Sequence, residues 1–186
     1  AEKKDTINDW SYYVFFFIAY FTGARKGEIY ALKWSDIKGN VLSISRSVNQ
    51  KVGRIVETLP KNSSSIRTLQ IPMSLEVVLK EQKQRQMKDK NFTDDYRICG
   101  GIDCIRDSTV CNKGFDFADK AGLPHIRLHD FRHSHASLLA SEGINIQEIA
   151  RRLGHSNVEM TWNTYSHLYP HEEERAVSVL DKIFLK

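Results

Sequence analysis

Leu128-His129-Asp130-Phe131-Arg132-His133-Ser134-His135 is the stretch from which the rest of this sequence is read. Leu153-Gly154-His155 follows it, and Tyr165 stands ten residues beyond that histidine. Cations, imidazoles and a late tyrosine crowd together here with few carboxylates. His129 and Arg132 are three apart, so on a helix start they share a face. An arginine fork donates two parallel hydrogen bonds to phosphate oxygens and stays charged at any working pH. This set suits in-line attack of a tyrosine on a phosphodiester, with positive groups holding the phosphate and no metal ion.

Working outward, Arg25 in Thr22-Gly23-Ala24-Arg25-Lys26-Gly27-Glu28 supplies a second fork from a distant part of the chain. Donors placed on developing charge are worth roughly 3–4 kcal/mol each. Tyr165 is the candidate nucleophile, preferred to Tyr169 for its distance from His155. A phenol has a pKa near 10, so attack needs neighbouring cations or a base. His129 and His155 are available for proton transfer and for hydrogen bonds to phosphate. Lys61 is the candidate general acid for the departing sugar oxygen, with Lys51 and Arg67 as rival cations. Taken singly, each residue also reads as a surface arginine, a packed tyrosine or a turn lysine; the combination carries the argument.

His129 and His133, four apart, invite a metal reading. No third ligand is well placed, and the carboxylate cluster of two-metal cleavage is missing. The expectation is no metal and no cofactor, with His133 and His135 as core or supporting groups.

The chain has 186 residues, which fits one domain with a real core, and a net charge of +4, which is weak evidence for nucleic acid by itself. Between Lys51 and Gln70 four cations (Lys51, Arg54, Lys61, Arg67) face one carboxylate, Glu57. Cys99, Cys104 and Cys111 are odd in number and unpatterned, arguing for reduced thiols rather than a disulfide framework or zinc site. No apolar run is long enough for a membrane span, and the start carries no signal-peptide core. A first residue other than methionine is expected of an excised fragment and equally of a chain whose initiator has been removed. A cytoplasmic protein is expected.

Trp10, Val14, Phe17, Ile18 and Phe21 recur at helical steps, and Thr22-Gly23 ends that helix. A short helix over 26–32 follows. From Asn40 to Pro72 the period becomes two, predicting three antiparallel strands near 41–46, 54–59 and 66–71, with Lys61 in the turn between the second and third. A helix capped by Ser74 runs to about Lys90, and another starts near Ser108. Helices over about 130–142, 146–153 (stopped by Gly154) and from Asn157 follow, then a helical tail over 172–184. The fold class is mainly α with a small antiparallel three-stranded β-sheet.

These motifs, in this order and at these intervals, resemble the catalytic domain of the tyrosine recombinases, or phage-type integrases. Leu-His-Asp-Phe-Arg-His-Ser-His-Ala-Ser, Leu-Gly-His-Ser and Thr164-Tyr165-Ser166-His167 are similar to integrases of phages and conjugative transposons of Gram-positive bacteria. The resemblance implies double-stranded DNA as substrate and a 3′-phosphotyrosyl intermediate at Tyr165, with neither ATP nor metal. It implies a phosphate site of Arg25, Arg132, His129 and His155, Lys61 as leaving-group acid, and Glu28 as a supporting acid. It further implies a synaptic tetramer on DNA, action at the bacterial nucleoid, no membrane and no small-molecule substrate. On this resemblance residues 1–186 are expected to form one catalytic domain, with the family's amino-terminal DNA-binding domains outside this chain and a tail over about 171–186 suited to docking in cis or in trans. Asn62 stands after Lys61 where the family pattern has threonine.

Three other readings use the same residues. A type IB topoisomerase relaxes supercoils without a target site. A DNA-binding module of the same fold no longer cuts. A metal-dependent nuclease stops when chelated.

Overall fold

The computed structural model describes residues 8–51, 54–58, 65–169 and 173–184. Helix α1 (Asp9–Thr22) starts where the Asn8 side chain accepts the Ser11 backbone N–H at 3.3 Å. It ends at Gly23, whose φ of 62° gives the left-handed cap and whose N–H bonds to the Ala19 carbonyl. Val14, Phe15 and Ile18 are buried and anchor the larger core, each contributing about 1.5–3 kcal/mol. Helix α2 (Lys26–Ala31) follows after a three-residue break and packs on the sheet region.

The extended region departs from expectation in its pairing. Strands β1 (Ile37–Lys38), β2 (Val41–Ile44) and β5 (Arg67–Gln70) form the three-stranded antiparallel sheet in the order β1-β2-β5. Strands β3 (Ser47–Lys51) and β4 (Arg54–Thr58) form a separate two-stranded ribbon, in register from Ser47 opposite Thr58 to Lys51 opposite Arg54. The 54–58 strand is therefore not the centre of the sheet. β2 pairs with β5 directly, burying Leu42, Ile44 and Leu69 on one face at alternating positions. The Lys61 turn lies outside the described residues.

Helix α3 (Met73–Gln86) starts one residue after Pro72, which serves as its N-cap; Ser74 lies inside the first turn. Gln82 and Gln86 are buried because their amides donate to the Ile98 carbonyl at 2.7 and 3.0 Å, tying α3 to the 96–101 loop. Helix α4 (Asp107–Lys120) leads to an exposed loop and then to α5 (Leu128–Ser141). Helix α6 (Ile146–Leu153) takes its cap from the Asn145 side chain and its stop from Gly154, φ 67°. Asn157 caps α7 (Val158–Tyr165). A second, small core joins Ala136, Ala140, Ile149, Leu153 and Tyr165 from α5, α6 and α7. α8 (Glu173–Phe184) exposes Val177, Val179 and Leu180. Among the described residues no helix is long and apolar enough to cross a membrane, and Cys99, Cys104 and Cys111 are free thiols.

Candidate active site at the meeting of α1, α2, α5, α6 and α7

Arg25 is held by a local backbone device, Arg67 and Arg132 by partners distant in sequence. Arg25 is the N-cap of α2, and its backbone N–H bonds to Glu28 Oε2 at 2.8 Å. The same carboxylate accepts Arg25 Nη1 at 3.0 Å. Arg25 keeps 42% of its side chain exposed, so its fork stays open to a ligand. α5 begins in the same way, with the Arg127 N–H on Asp130 Oδ2 at 2.8 Å.

Glu28 does more than cap a helix. It is buried, and Arg67 grips it from β5 with Nη1 on Oε1 at 3.1 Å and Nη2 on Oε2 at 2.9 Å. Burial alone would raise the Glu28 pKa. Arg67's hydrogen bonds and charge, with help from Arg25, outweigh burial and hold it below the ordinary carboxylate value. Arg67 also donates through Nε to the Arg152 carbonyl at 2.6 Å. A buried guanidinium so committed is no rival to Lys61 as proton donor.

Arg132 is 4% exposed. Nη1 donates to the Gly23 carbonyl and Nη2 to the Leu153 carbonyl, both at 2.7 Å. Those carbonyls stand at the C-terminal ends of α1 and α6, where helices leave acceptors unpaired. Burial, then the charges of Arg25 and Arg67, push the Arg132 pKa down to about 9, which leaves it cationic at neutral pH. Three guanidiniums (Arg25, Arg67, Arg132) thus surround one carboxylate, Glu28. The pocket keeps a surplus of positive charge for a phosphate.

The imidazoles divide by environment. His155 follows the Gly154 cap, and its Nδ1 lies 2.8 Å from Thr161 Oγ1. Burial, then Arg132, Arg25 and Arg67, push its pKa down to about 4, so it is neutral at pH 7. His129 is lowered as well, by burial first and then by His133 and Arg132. His135 is buried against the end of α1, its Nδ1 2.8 Å from the Tyr20 carbonyl; that is the core role expected for it.

Tyr165 ends α7 with its ring in the small core, 5% exposed. Its hydroxyl lies 2.8 Å from His133 Nδ1, and the Arg132 charge bears on it. Burial raises its pKa, and Arg132 opposes that rise. The His133 contact is absent from the sequence reading, which gave that residue a supporting place. The signal was present: His133 stands one turn after His129, and the two rings meet edge to face at 4.7 Å. In the sequence alone that spacing reads as a metal pair. Among the described residues no group of three or more His, Cys, Asp or Glu is arranged to hold a metal ion. Lys61 lies outside the described residues.

A groove of about 860 Å³ opens beside the site. Phe16, Phe17, Phe21, Phe115, Leu123 and Ile126 make it apolar, while Arg25, His129 and Arg132 also line it.

The chain is 34% identical over 177 residues to the ICEBs1 integrase of Bacillus subtilis, covering 91% of this chain and 48% of that protein. It is 30% identical over 191 residues to a XerC-like tyrosine recombinase of Caldanaerobacter subterraneus, covering 91% of this chain and 49% of that one. It spans about half the length of these relatives. The fold matches that of the Tn1549 transposon integrase in complex with transposon right end DNA, at TM-score 0.66 and 19% identity, over 94% of this chain and 59% of that one. The phage integrase family itself matches residues 2–172, and this chain belongs to that family.

Proposed function

We propose that this chain is the catalytic domain of a site-specific DNA recombinase that integrates and excises a mobile element. Its substrate is double-stranded DNA, bound at the surplus-positive pocket and its exposed cationic rim of Arg25, Lys26 and Arg127. Relatives named as integrases of mobile elements, and the DNA held by the Tn1549 integrase, support that partner.

Arg25 and Arg132 clamp the scissile phosphate while Tyr165 attacks it in line. The 3′-phosphotyrosyl bond forms as the bond to the 5′ oxygen breaks, and Lys61 supplies the proton to that oxygen. Thr161 Oγ1 holds His155 through Nδ1, which leaves Nε2 of the neutral imidazole to face a phosphate oxygen. His129 provides the second neutral imidazole. Glu28 does no chemistry; it sets Arg25 and Arg67. The 5′ hydroxyl released on one strand reseals on a partner strand within a tetramer on DNA. The exposed apolar side chains Val177, Val179 and Leu180 of α8 suit docking onto a neighbouring protomer, with the groove between α1, α4 and α5 as receiver. Action at DNA implies a cytoplasmic location.

One observation carries the proposal: Tyr165, from late in the chain, sets its hydroxyl 2.8 Å from His133, the residue after Arg132, whose guanidinium is anchored on the Gly23 and Leu153 carbonyls. A nicked duplex of arbitrary sequence tests it, since the cut fragment diffuses away and leaves the strand covalently on the protein. The native chain should capture DNA and Tyr165→Phe should not.

A further inference from the structure

Cleavage by a phenol leaves one proton unassigned. The attacking oxygen must shed it, and the Lys61 ammonium, which serves the opposite oxygen, cannot accept another. His155 Nδ1 is engaged by Thr161 at 2.8 Å, and His135 Nδ1 by the Tyr20 carbonyl at 2.8 Å. His133 Nδ1 is the imidazole nitrogen seen within hydrogen-bonding distance of the Tyr165 hydroxyl, at 2.8 Å. We propose that His133 takes the proton of Tyr165 as its oxygen attacks phosphorus, and returns it when the phosphotyrosyl bond is resealed. The assignment rests on Tyr165 being the nucleophile.

The geometry suits both directions. The phenol ring is fixed in the small core, so its hydroxyl has little freedom to leave His133. His133 itself is exposed, which lets its cation be solvated. Its ring is braced by His129, edge to face at 4.7 Å. The ionisable groups around it are His129 and Asp130 on its own helix and Tyr165 on α7. The balance closes: the oxygen–phosphorus bond forms, the bond to the 5′ oxygen breaks, the phenol proton goes to His133 Nδ1, and the 5′ oxygen takes one from its acid. In resealing, the His133 imidazolium protonates the departing phenolate.

The test is single-turnover capture on nicked DNA across pH 5–9, with the native chain, Tyr165→Phe, His133→Ala and His133→Asn. His133→Ala should slow capture about 10²-fold at neutral pH, with DNA binding unchanged. Its rate should then climb with pH, as phenolate forms without help. His133→Asn accepts the same hydrogen bond but takes no proton, so it should be as slow as Ala. A substrate with sulfur at the leaving position should not rescue either variant, since the missing proton step lies on the attacking side. Native-like capture by His133→Ala, faster capture, full activity in His133→Asn, or rescue by sulfur would each overturn the assignment while leaving Tyr165 in place. Failure of the native chain to capture DNA, or equal capture by Tyr165→Phe, would overturn the nucleophile and this assignment together.

Discussion

The Arg67 guanidinium lies two-pronged on the buried Glu28 carboxylate, at 3.1 and 2.9 Å, and that pair fixes the position of Arg25. Removing one partner of a buried ion pair leaves the other uncompensated, at about 3–5 kcal/mol. Glu28→Gln is therefore expected to lower stability by a few kcal/mol in urea denaturation, and to slow DNA capture because Arg25 loses its hold. Arg67→Met with Glu28→Met should recover stability without recovering capture. Recovery of both would show that the pair has no part in placing Arg25.

Arg25 and Arg132 should separate in their stability effects. Arg25 is partly exposed and Arg132 is clamped to two helix-end carbonyls. Arg25→Ala should reduce capture by about 10²–10³ while leaving thermal unfolding almost unchanged. Arg132→Ala should reduce capture at least as far and also destabilise the fold, since the Gly23 and Leu153 carbonyls lose buried partners. Gel-shift binding should fall only modestly in both. Loss of binding in step with capture would make these arginines binding groups alone.

Stability should depend on pH through His135. Its Nδ1–H donates to the Tyr20 carbonyl and its Nε2 accepts Arg152 Nε at 3.5 Å, so the neutral ring satisfies both neighbours. Burial, then Arg152, push its pKa down to about 4 from 6.5. Between those values the unfolded chain binds the extra proton, so stability falls as pH drops from about 6.5 to about 4 and levels off below. The shift corresponds to roughly 3 kcal/mol. Urea midpoints across that window should fall in the native chain and fall less steeply in His135→Gln, where His155, held near the same low pKa, carries the remaining dependence. A native chain whose midpoint does not move through this window would contradict the neutral His135.

Lys61→Ala should be inactive on ordinary DNA and largely restored by a substrate whose leaving oxygen is sulfur, because a thiolate departs without a proton. Rescue of Lys51→Ala in its place would move the acid to that residue. Arg67 is already spent on Glu28 and the Arg152 carbonyl, so Arg67 variants should show no such rescue.

Local signals carried much of the fold. Gly154 and Asn157 bound α6 and α7 because capping is decided within a turn. Period two between 40 and 72 identified strands, but pairing is a long-range choice: β2 meets β5 across 23 or more residues, while 54–58 turns back on 47–51. Ser74 looked like a cap because its type caps often; the fixed φ of Pro72 set the start two residues earlier. Arg25, His129, Arg132, His155 and Tyr165 stand out in the sequence as a candidate set because their residue types suit one reaction. The commitments of Arg67 and His133 were not, since each depends on a partner far away in sequence: Glu28 for one, Tyr165 for the other.

The most direct measurement is the identity of the residue that carries DNA. The native chain is trapped on nicked duplex, digested with nuclease and protease, and the nucleotide-bearing peptide is sequenced by mass spectrometry. The adduct is predicted on Tyr165, through a 3′ phosphate. An adduct on Tyr169 or on any other side chain, or a 5′ linkage, would contradict the account.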